Sequence, residues 1–63
     1  MNEFEYLTKQ LAERTTQLTE ALAEGAVKSF EEYKQLVGEI RGLSFAQLSI
    51  TDLVRKLEKA EDE

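Results

Sequence analysis

The sequence predicts an all-α protein, a two-helix antiparallel hairpin whose second helix is the longer. Three observations carry this. Apolar residues recur at helical spacing in two long runs, with no stretch of strand-type alternation. Proline is absent and glycine occurs only three times. The break between the runs holds a glycine followed closely by a serine that can cap a helix.

The first element begins at Asn2, whose side chain can accept from a backbone N–H of the first turn, with Glu5 three residues on as in a capping box. Phe4, Leu7, Leu11, Thr15, Leu18 and Leu22 then follow at the period of a straight α-helix. Glu5 and Lys9 form a favourable i,i+4 pair. Gly25 suits the left-handed position just past a helix end, so helix 1 is expected over about residues 3–24.

The connector is expected at residues 25–29. Ser29 caps the next helix with Glu32 in the reciprocal position, and Glu31 and Glu32 place negative charge in the first turn. So short a connection makes the helices antiparallel. Helix 2, about residues 30–60, carries Tyr33, Leu36, Ile40, Leu43, Gln47, Ile50, Val54 and Leu57, a heptad seam with one polar member. Basic residues from Arg55 to Lys59 suit its C-terminus, and the acidic tail beyond is expected to fray. Gly42 followed by Ser44 and Gln47 offers a competing end and restart, or a kink. The seam crosses this site without a change of phase, which favours a continuous helix.

The expected core sets Phe4, Leu7, Leu11, Leu18 and Leu22 against Tyr33, Leu36, Val37, Ile40 and Leu43. At ~1.5 Å per residue the helices span about 33 and 47 Å, so helix 2 outreaches helix 1. Ile50, Leu53, Val54 and Leu57 are then expected to lack an intrachain partner and to form an interface. On the opposite side of helix 2, Gly38, Gly42 and Ser49 are flanked by Phe45 and Leu53. A glycine inside a helix costs roughly 1 kcal/mol against alanine, so this face is read as a packed surface rather than a solvated one.

Composition narrows the function. A single domain of 63 residues buries little of its surface, and with no cysteine or histidine it has neither disulfides nor the usual zinc ligands to compensate. Association with another chain is the expected remedy, giving a helical bundle. The net charge of −5 argues against direct contact with nucleic acid. No apolar run reaches the roughly 18 residues of a membrane span, and the acidic start is unlike a secretory or transit signal. A cytoplasmic protein of the host cell, with virion association left open, is expected.

No catalytic constellation is visible. The serines at 29, 44 and 49 have no motif around them, and the carboxylates fall in first turns or on polar faces. No enzyme activity, metal or cofactor is expected, and so small a chain leaves little room for a ligand pocket. Arg14 comes level with Glu39 in such a hairpin; a buried register-fixing pair is weighed against an arginine with its head in water, and the latter is preferred. Tyr6, Phe30 and Tyr33 read as core or staple residues, with Phe30 packing back near Leu22. Mimicry of nucleic acid by the acidic excess is weighed and set below a merely solvated surface.

The segments Phe4-Glu5-Tyr6-Leu7, Phe30-Glu31-Glu32-Tyr33-Lys34, Ile40-Arg41-Gly42-Leu43 and Ile50-Thr51-Asp52-Leu53-Val54 resemble a group of small uncharacterised helical proteins of tailed bacteriophages. The resemblance covers nearly the whole chain and implies a phage product, a minor virion or assembly component, with no functional residues to transfer. In length and hairpin layout alone, the chain is also similar to the plasmid copy-number protein that dimerises into a four-helix bundle and binds RNA; the acidic balance argues against that activity. The expected function is structural assembly or protein–protein interaction, with self or a larger assembly as partner. Binding and inhibiting a host protein is the alternative.

Overall fold

A computed structural model describes residues 2–62. Two helices, α1 (Glu3–Ala23) and α2 (Phe30–Asp62), fold back on one another as an all-α hairpin of 52 × 20 × 13 Å. Neither helix is long and apolar enough to cross a membrane.

Local chemistry sets each boundary. Asn2 Oδ1 accepts from the Glu5 N–H at 2.8 Å, satisfying one orphan donor of the first turn. At the other end of α1, Gly25 has φ +74°, a conformation that costs glycine almost nothing. The turn is a Schellman motif: Ala26 N–H donates to the Ala21 carbonyl at 3.1 Å, and Gly25 N–H to that of Leu22 at 3.2 Å. Ser29 Oγ then accepts from the Glu32 N–H at 3.1 Å. The Glu32 carboxylate reaches back to the N–H of Lys28, one residue further than a capping box requires.

α2 runs unbroken through Gly42 and Ser44, so the end and restart that these residues could encode do not occur. Phase continuity of the seam outweighs a local stop signal.

The two helices meet along one narrow line. Leu18 is its only fully buried residue among those described, 4% exposed. Phe4, Leu11, Leu22, Leu36, Val37, Ile40, Leu43, Gln47, Ile50 and Val54 are half-buried along it. Thr15 shares this line because its hydroxyl donates to the Leu11 carbonyl of its own helix at 2.9 Å.

Three sequence expectations need correction here. Leu7 and Tyr33 are 45% and 48% exposed, not core. They lie about 40° and 60° round their helices from Leu11 and Leu36, and a lone pair of helices covers only a thin strip. Phe30 is 71% exposed and does not pack on the end of α1. Its ring stacks instead on Tyr33, at 6.3 Å and 21°, beneath the Lys34 ammonium. Ile50 and Val54 do have an intrachain partner: they are half-buried and share a groove with Phe4. Helical side chains lean toward their own N-terminus. Phe4 therefore reaches outward past the start of α1, while Val54 leans back toward it.

Candidate protein-interaction surface

One ion pair joins the two helices and marks their register. Arg14 Nε donates to Glu39 Oε2 at 2.8 Å, with the two side chains 50% and 40% exposed. The hydrogen bond and charge of Glu39 raise the arginine's pKa above its usual value. The structure lies between the two sequence readings: the arginine head stands in water, as preferred, yet it pairs with Glu39 at the surface rather than in a buried site. It also defines sides. The flank of α1 that carries Arg14 lies against the flank of α2 that carries Glu39.

The flank away from that pair holds a trough of about 570 Å³ at the open end of the hairpin. Phe4, Ile50 and Val54 line it with Thr8, Lys9 and Arg55. The volume lies within the range of ligand sites, larger than the sequence led us to expect. Its walls are two helix flanks and it is open to water. No three carboxylates gather closely enough to hold a metal among the described residues.

Besides the exposed Phe30–Tyr33 stack, two apolar surfaces remain. At about 100° per residue, Tyr6 and Leu7 of α1 and Leu53 and Leu57 of α2 fall on the Arg14–Glu39 side, near the open end. They are 54%, 45%, 44% and 45% exposed. The other lies on the outer face of α2, turned away from α1. Phe45 and Leu48 stand there 73% and 70% exposed, over a shallow hollow shared with Ser49 and Asp52.

Of the residues the sequence marks as an interface, Phe45, Leu53 and Leu57 are exposed apolar groups as expected. Ile50 and Val54 belong to the hairpin seam. Gly38, Gly42 and Ser49 are exposed, and a methyl group added at either glycine would meet nothing within 4 Å. Within the chain, then, no contact requires a glycine at 38 or 42.

Leu48 escapes the sequence reading because it lies off the main seam. The signal was present in a second 4-3-4 spacing, Arg41, Phe45, Leu48 and Asp52, opposite the first. Asp52 pairs with Lys56 at 3.3 Å, with both side chains largely exposed. Arg41 forms no salt bridge among the described residues.

No protein-family model matches the chain, and no curated protein or solved structure matches it at significant similarity.

Proposed function

We propose that this chain is a non-catalytic protein–protein interaction module, a part that docks on other protein to build or complete an assembly. One observation carries the reading: a single described side chain is fully buried, while eight large apolar ones are 44–73% exposed. Fully burying a large apolar side chain is worth roughly 1.5–3 kcal/mol, so covering even some of these matches the stability of a small domain. The absence of cysteine and histidine from the sequence removes the common alternatives for stabilising so small a fold. The sequence pattern that resembles small phage proteins suggests a virus particle as the assembly to test first.

Leu53 and Leu57 are the residues to change, because the hairpin does not depend on them. The sequence alone would have targeted Ile50, whose place in the seam would confound loss of binding with loss of fold. Replacing Leu53 and Leu57 together by Asp is expected to preserve the helical circular dichroism and abolish co-purification with the partner. Replacing Thr16 and Glu20 on α1 is expected to change neither. Co-purification of wild type with intact particles supports an assembly role, and capture of one defined host protein supports an inhibitor. A double variant that still binds every wild-type partner excludes this surface.

A further inference from the structure

The outer stripe of α2 points to a particular occupant. We infer that it is a second copy of the chain, lying antiparallel across the first about a two-fold axis between Ala46 and Gln47. The inference rests on the interaction reading above and names the partner for the outer face of α2.

The order of residues along the stripe is self-complementary. Arg41, Phe45, Leu48 and Asp52 read cation, apolar, apolar, anion at heptad spacing, all exposed and all on the face turned from α1. Reversed and laid on itself, this pattern matches: Arg41 meets Asp52 of the other copy, and Phe45 meets its Leu48, each twice. Antiparallel coiled helices layer their two seam positions in this way. A parallel pairing would set arginine on arginine and aspartate on aspartate, which is unfavourable. The hairpin's own seam stays untouched.

The neighbouring positions fit as well. One heptad step outward, Gly38 falls level with Arg55 of the other copy, where the missing side chain leaves room for the arginine stem. Arg41, which forms no salt bridge among the described residues, gains a carboxylate. Two like-charge levels, Lys34 with Lys59 and Glu31 with Asp62, fall at the ends of the stripe, outside the matched centre. A contact one helix wide falls at the small end of interface sizes, below about 1,200 Å², the class of weak and transient encounters.

Charge reversal tests the pairing directly. Arg41→Asp alone sets Asp against Asp52 at both ends of the contact, and Asp52→Arg alone sets Arg against Arg41. Sedimentation equilibrium of each single variant should show association weakened by about tenfold or more. An equimolar mixture of the two restores both opposite-charge pairs and should associate as wild type does, as should the Arg41→Asp/Asp52→Arg double variant. Both substituted positions are exposed, so circular dichroism should remain wild type throughout. A wild type that stays monomeric to about 1 mM overturns the inference. So does a mixture no better than its components. Either result leaves the Leu53/Leu57 test unaffected, so failure of the self-pairing is distinct from failure of the interaction reading.

Discussion

Leu18 shows how little holds this fold together. It is the one described side chain removed from water, so its truncation takes away the largest single share of the interhelical contact. Leu18→Ala is expected to cost about 2–5 kcal/mol, enough to unfold a domain of marginal stability. Leu11→Ala, at a half-buried site, is expected to cost roughly half of that range. Leu7→Ala should barely register, since Leu7 is already 45% in water. Urea unfolding of the three variants ranks them; a Leu7 loss equal to that of Leu18 would place the seam wrongly. The sequence could not make this ranking. Periodicity puts Leu7 and Leu18 on the same stripe, but only the docked partner helix decides which part of a stripe it covers.

At the scale of the element, the three glycines have different effects. Gly25 sits at φ +74°, where an added Cβ is strained whatever the space around it. Gly25→Ala is expected to destabilise the hairpin by about 1–2 kcal/mol. Gly38 and Gly42 lie in regular helix with open space beside them. Gly42→Ala is expected to stabilise the isolated hairpin by about 1 kcal/mol, read as a higher thermal midpoint in dilute solution. Opposite signs at Gly25 and Gly42 are the check; a loss at both would mean α2 needs its glycine for a bend. Element boundaries were legible in the sequence because caps are local: Asn2, Gly25 and Ser29 each act within four residues of themselves. The reach of Phe4 to Ile50 and Val54 was not, because it depends on side-chain lean across two helices. The exposure of Phe30 was not legible either, since an aromatic at a helix start reads equally as a staple or as a free ring.

For the whole molecule, the proposed self-pairing would couple association to stability. If a second copy covers α2, mass action stabilises the folded form in proportion to the logarithm of concentration. A domain this small shifts its midpoint by about 4–8 °C per kcal/mol. Raising the chain a hundredfold through the dimer's dissociation constant should therefore raise the midpoint by several degrees. The Arg41→Asp variant should show a flat midpoint over the same range. Calorimetry at two concentrations reads this, and a flat wild-type midpoint would mark the hairpin as self-sufficient.

The Arg14–Glu39 register has a kinetic consequence. Because the hairpin is antiparallel, residues facing each other lie further apart in sequence at every level away from the Gly25 turn. The loop that must close before two residues meet is short beside the turn and longest where Phe4 approaches Ile50 and Val54. Closure entropy grows with that length, so the helices join from the turn outward, like a zip. The open end closes last and reopens first, within a folded molecule whose turn stays shut. Tyr6, Leu7, Leu53 and Leu57 stand at that end, so the apolar flank proposed to take a partner is also the part of the hairpin expected to open first. A partner seated there would hold the last teeth of the zip together, slowing the opening step while leaving the first closing steps at the turn unchanged.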